Sequence, residues 1–256
     1  MSIVEAEALY KPYDQFILFG DSITQMSSDP QLEFGLYGAL QDAYIRCLDV
    51  INRGFSGYTS GHAVNVFPKF FPTPERANVR FMTIFFGAND ACLPGSAQHV
   101  PLHVFKENLT RIIQHPVTVA QNPHILILTP PPVNEYQLQG FDESKGNAHP
   151  SRTAEHTKKY AEAVREVGSS LGVPVVDVWS AFMSATGWKE GEPLPGSRDL
   201  PSLEKFERFF TDGLHLTADG YRVVYDAIME TIQVNWPEQG PERLPSVFPP
   251  WTEAPR

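Results

Sequence analysis

Five short runs constrain this chain more than anything else in it: Phe16–Gly20, Asp49–Arg53, Val79–Phe86, His124–Thr129 and Val173–Val178. Each is of strand length, and most are nearly all apolar, as a strand covered on both faces reads. Between them lie stretches with apolar residues three and four apart. Leu36, Leu40, Tyr44 and Cys47/Leu48 form one, and Val64, Phe67 and Phe71 a second. Leu102, Phe105, Leu109, Ile112 and Ile113 form a third, and Tyr160, Val164, Val167 and Leu171 a fourth. Trp179–Ala185 reads as a short helix, and a last helix opens at Thr217 with Tyr221, Val224/Tyr225, Ile228 and Ile232 on its inner face.

Strand and helix therefore alternate, without internal repeat. Successive strands joined by helices run parallel through right-handed crossovers, so the helices must cover both faces of the sheet. The fold expected is α/β: three layers, α/β/α, around a five-stranded parallel sheet in flavodoxin-like order. Residues 133–151 read as a long polar loop and 186–200 as an irregular insertion rich in Gly and Pro. One domain over 1–235 accounts for these elements. Residues 236–256 hold six prolines among Trp236, Leu244, Val247, Phe248 and Trp251. So apolar a tail is expected to be extended and docked, on the body or on a second copy in a homodimer.

The net charge of −10 disfavours polyanionic partners such as nucleic acid. No run has the length of a membrane span, and Met1–Gln15 lacks the pattern of a secretory signal, so no membrane insertion and a cytoplasmic home are expected. Cys47 and Cys92 stand far apart with no CxxC, which reads as buried thiols. His99 and His103 are separated by Pro101 and have no third ligand nearby, so no metal is expected. Asn108-Leu109-Thr110 is a glycosylation pattern, but it falls inside a predicted helix.

Parallel strands all end on one edge, which is where ligands bind in open α/β sheets. Three ends carry small or polar residues: Gly20-Asp21-Ser22, Gly54 with Ser56, and Gly87-Ala88-Asn89-Asp90. A fourth loop, Asp212-Gly213-Leu214-His215, precedes the last helix and can reach the same edge. Acyl transfer needs a nucleophile, a base, a group to orient the base, and donors for the oxyanion. Ser22, His215 and Asp212 suit the first three roles. The backbone N–H groups of Ser22 and Gly54 and the side-chain amide of Asn89 suit the fourth, with glycine at 54 read as making room for the substrate oxygen. Taken singly, each residue is more often a cap, a turn former or a satisfied histidine; their joint placement on one edge carries the reading. No Gly-x-Ser-x-Gly, GxGxxG or P-loop competes with it.

The blocks Leu18-Phe19-Gly20-Asp21-Ser22-Ile23-Thr24, Arg53-Gly54-Phe55-Ser56-Gly57-Tyr58-Thr59-Ser60, Phe86-Gly87-Ala88-Asn89-Asp90-Ala91 and Thr211-Asp212-Gly213-Leu214-His215 resemble, in order and spacing, those of the GDSL or SGNH hydrolases. The resemblance covers about residues 14–235, and the extended blocks look most like the isoamyl acetate-hydrolysing esterase branch. It implies a cofactor-free serine esterase acting on small acetate or other short-acyl esters, a lipid-degradation type of chemistry. A thioesterase, lysophospholipase or carbohydrate deacetylase would use the same machinery, and a non-catalytic binding protein the same scaffold. The regions 133–151 and 186–206 look individual to this chain, so they leave the substrate open.

Overall fold

The computed structural model describes residues 10–254 apart from 145, 147 and 148. Strand β1 (Asp14–Gly20) is followed by a one-turn helix α1 (Ser22–Met26) and by α2 (Leu36–Ala43). Then come β2 (Leu48–Gly54), α3 (Ser60–Phe70), β3 (Val79–Phe85), α4 (Leu102–Ile113), α5 (Pro116–Gln121) and β4 (His124–Leu128). The second half holds α6 (Glu135–Ser144), α7 (Ala154–Leu171), β5 (Val175–Val176), α8 (Val178–Thr186), α9 (Glu204–Glu207) and α10 (Ala218–Asn235).

The five strands are all parallel, in the order β2-β1-β3-β4-β5. Alternation along each strand builds two cores. Phe16, Leu18, Phe81, Leu126 and Leu128 face α2 and α10, where Leu40, Val224, Ile228 and Ile232 meet them. Ile17, Phe19, Met82, Ile84 and Ile127 face α3, α4 and α7, against Phe67, Phe105, Leu109 and Val164. This is the three-layer α/β/α arrangement, and it explains why the central strands carry apolar residues on both faces. Asn108 is buried on α4 and donates to Ser60 Oγ at 3.0 Å.

Strand β5 and helix α6 differ from the reading of the sequence, as do the short helices α1, α5 and α9, which that reading does not contain. Strand β5 is two residues long, because Asp177 leaves the sheet to cap α8, its side chain accepting from the Ser180 N–H. The polar stretch 133–151 is not all loop, since Glu135–Ser144 is helical. Its only apolar side chains over the middle turns are Leu138 and Phe141, too few to register as a helical stripe. Tertiary contacts fix it instead. The Asn134 N–H donates to Gly213 O at 2.9 Å, and Glu135 Oε1 accepts the Ala154 N–H at 2.8 Å.

Residues between 236 and 249 touch the body at several points. The Trp236 ring lies against His124 and Phe81, with centroids 4.5 and 5.9 Å away. Further on, Arg46 Nη2 donates to the carbonyls of Phe248 and Pro249 at 2.9 and 2.6 Å, and Arg46 O accepts the Val247 N–H at 2.9 Å. Among the described residues no helix is long and apolar enough to cross a membrane, and no cluster of His, Cys, Asp or Glu is arranged to hold a metal ion.

Candidate active site

The strand register sets the site's floor. Gly20 at the end of β1 pairs with Gly54 at the end of β2 and with Phe85 on β3, so three strands stop level with one another. Immediately beyond β1, Asp21 caps α1, its Oδ1 accepting the Ile23 N–H at 2.9 Å. Ser22 is thereby the first residue of a helix, where the backbone N–H has no intrahelical partner. Its side chain is 5% exposed, with Oγ 3.0 Å from His215 Nε2.

His215 arrives from the loop before α10. That loop folds on Asp212: Oδ1 accepts the N–H groups of Leu214 and His215 at 3.0 and 2.8 Å, and Oδ2 lies 2.7 Å from His215 Nδ1. Burial opposes charge on Asp212. The hydrogen bonds from the His215 ring and from the two backbone N–H groups outweigh it and hold the carboxyl below its ordinary range. An ionised Asp212 accepts only, so it fixes the proton of His215 on Nδ1 and turns Nε2, as an acceptor, toward Ser22. The Phe141 ring from α6 stands edge-on to the His215 ring at 5.9 Å. Serine, histidine and aspartate thus form one chain of hydrogen bonds across residues 22, 215 and 212.

Asn89 stands in the turn after β3, 4% exposed. Its Nδ2 donates to Tyr58 O at 2.9 Å, and its Oδ1 accepts from Arg152 Nη2 at 3.2 Å. Ser22, Asn89, Asp212 and His215 all line one cavity of about 1040 Å³, together with Met26, Gly57, Leu93, Gln98, Phe141 and Arg152.

Gly54 is placed differently from the expectation. It does not line this cavity, and its N–H is already spent on Asn52 Oδ1 at 2.8 Å. A Cβ at 54 would come within 2.1 Å of Gln25 N and 2.4 Å of Gln25 Cα. Glycine is therefore required for close approach of β2 to α1, not for room around a substrate. The same reason holds at Gly20, where φ is not positive but a Cβ would lie 2.7 Å from Phe85 O. Three residues farther along, Gly57 does line the cavity, with φ +77° and an N–H that finds no partner among the described residues. In the sequence, Gly57 sits in a Ser-Gly pair that reads as any turn; only its position marks it.

Two carboxylates lie behind the site. Burial pushes Asp21 up to about 7, partly opposed by the Ile23 N–H, with Asp90 adding repulsion. Burial also pushes Asp90 up to about 6, opposed by hydrogen bonds from Ser60, whose N–H donates to both carboxylate oxygens at 2.9 and 3.1 Å.

A family model described as GDSL-like lipase/acylhydrolase matches residues 18–223. A GDSL esterase/lipase of Arabidopsis thaliana is 34% identical over 243 residues, covering 92% of this chain and 91% of that protein. The isoamyl acetate-hydrolyzing esterase of Saccharomyces cerevisiae is 28% identical over 249 residues, 94% of this chain and 95% of that one. Among solved structures, a lipase/acylhydrolase from Enterococcus faecalis superposes with a TM-score of 0.61 at 23% identity, covering 91% of this chain and 98% of that chain. An acetyl xylan esterase superposes at 0.64 with 18% identity, over 85% and 99% of the two chains.

Proposed function

The chain belongs to the GDSL-like lipase/acylhydrolase family of carboxylic ester hydrolases, and from that premise we propose that it cleaves small short-acyl esters, acetates among them, through an acyl-Ser22 intermediate. The observation that carries the reading is the unbroken path Ser22 Oγ–His215 Nε2–Asp212, at 3.0 and 2.7 Å, opening into the large cavity.

Ser22 Oγ attacks the ester carbonyl as His215 Nε2 takes its proton. Asp212 keeps the other ring nitrogen protonated and stabilises the imidazolium. The carbonyl oxygen becomes an oxyanion, bound by the Ser22 N–H, the free Asn89 Nδ2–H and, in place of Gly54, the Gly57 N–H. Each such donor is worth about 10²–10³ in rate. The tetrahedral intermediate collapses, the C–O bond breaks, and His215 gives its proton to the departing alcohol. Water, deprotonated by His215, then attacks the acyl-Ser22; the acyl C–Oγ bond breaks, His215 returns the proton to Ser22 Oγ, and the acid is released.

Support for small, short-acyl substrates comes from likeness to an isoamyl acetate-hydrolyzing esterase. The cavity is far larger than an acetyl group, which leaves space for the alcohol, and its lining mixes apolar residues such as Met26 and Leu93 with polar ones such as Gln98. The test is hydrolysis of p-nitrophenyl esters of increasing acyl length, beside an acyl-CoA and an acetylated xylooligosaccharide, by wild type and Ser22→Ala. Expected are turnover falling with acyl length, loss of at least about 10³-fold in Ser22→Ala, and an organophosphate mass adduct on Ser22. Equal slow hydrolysis by both proteins would overturn the mechanism, and preference for the thioester or the acetylated sugar would move the substrate class.

A further inference from the structure

The amide of Asn89 can serve an oxyanion only if its NH₂ end, not its oxygen, faces the nucleophile. Nothing intrinsic to asparagine guarantees this, since the two ends have nearly the same shape. Here both neighbours have fixed polarity. Tyr58 contributes a backbone carbonyl, which only accepts; Arg152 contributes a guanidinium, which only donates. Oδ1 must therefore face Arg152, and Nδ2 must face Tyr58 O. One Nδ2–H remains, on a side chain that lines the cavity with Ser22.

We propose that Arg152 is the positioning residue of the oxyanion site, setting the orientation of the Asn89 amide through its guanidinium fork. Its geometry suits that task. Arg152 is 3% exposed. Nη2 donates to Asn89 Oδ1 at 3.2 Å and Nε donates to Ala88 O at 2.7 Å, so one planar group grips two consecutive residues of the turn after β3. Nη1 donates to Ser151 Oγ at 3.0 Å, which pins the fork from its own side. The residue stands one position before Thr153, the N-cap of α7, and so hangs from a long helix rather than from the preceding loop. Its charge acts in a small way on the buried Asp21, favouring the ionised carboxyl there. Lysine at 152 would keep the charge but offers a point donor without the fork.

This inference rests on the acyl-serine reading above, and the experiment separates the two. Arg152→Gln and Arg152→Lys are each made in the wild-type chain and in an Asn89→Ala chain, with Ser22→Ala alongside, and kcat and KM are measured on p-nitrophenyl acetate. In the wild-type background Arg152→Gln is expected to lower kcat about 10–100-fold, below the ceiling for losing a donor outright, with KM moved by less than about threefold. Arg152→Lys follows it in direction. In the Asn89→Ala background neither substitution lowers kcat by more than about twofold, because the group through which Arg152 acts is already gone. An equal fold-loss in both backgrounds, a loss carried by KM, or full kcat in Arg152→Lys would overturn the proposal. Circular dichroism identifies a variant that fails to fold; if Arg152→Gln does, Arg152→Lys carries the cycle. Where Ser22→Ala retains wild-type turnover, the acyl-serine reading falls and takes this one with it. Where Ser22→Ala is inert and the cycle is additive, only the role of Arg152 falls.

Discussion

Asp21 offers the sharpest quantitative check on the electrostatics of the site. It is 1% exposed, and burial lifts its pKa from 3.8 to about 7. Between those values the folded chain holds a proton that the unfolded chain has released. Stability therefore falls as pH rises through this window and levels off above the folded pKa. One pKa unit corresponds to about 1.4 kcal/mol, so the charge on Asp21 costs about 4 kcal/mol at pH 8 and little at pH 4. Asp21→Asn removes the titration while keeping a good N-cap for α1. Whatever the amide does to local packing is the same at both pH values and cancels in the difference. Urea unfolding of wild type and Asp21→Asn at pH 4 and pH 8 should show the variant gaining about 4 kcal/mol, relative to wild type, on going from the lower pH to the higher. A stability difference that stays constant within about 1 kcal/mol across the two pH values would refute the argument that burial of Asp21 outweighs the groups that stabilise its charge.

Other outcomes follow from named contacts. Asp212→Asn should lower kcat by about 10⁴-fold with the fold intact, as it leaves His215 in the wrong tautomer; a pH-independent loss under tenfold would speak against the orienting role. Gly54→Ala should be destabilised more than Gly57→Ala in thermal unfolding: its Cβ lands on Gln25 backbone at 2.1 Å, whereas at Gly57 the nearest atom is Gln98 Nε2 at 3.7 Å. The cost at Gly57 is then only the left-handed strain of about 1–2 kcal/mol. Trp236→Ala should lose about 2–3 kcal/mol in urea unfolding and leave kcat unchanged, because Trp236 packs on His124, at the start of β4 and away from the strand ends that carry the site.

Much of the architecture was legible because parallel sheets write themselves into sequence. Strands covered on both faces must be apolar throughout, and crossover helices must show a one-sided stripe, so β1, β3 and β4 stand out from residues alone. Ser22, Asn89 and the Asp212–His215 loop were legible as candidates for a related reason: strand order and polarity bring those ends to one edge whatever the loops do. Helix α6 was not legible, since Leu138 and Phe141 alone make no periodic signal and the contacts that fix it come from Gly213 and Ala154.

The chain's local chemistry by itself determined the layers, the edge that carries the site, and the residue types available there. Tertiary structure decided which of those groups are free to act. Gly54 is the last residue of β2 and Gly57 lies three residues beyond it, yet Asn52 occupies the N–H of the first, and the second opens on the cavity. Arg152 lies 63 residues from Asn89 along the chain, and only the packing of α7 against the sheet brings its donors to the amide. Hydrogen-bond partners are a property of approach in space, and spacing along a chain does not encode which donor is already taken.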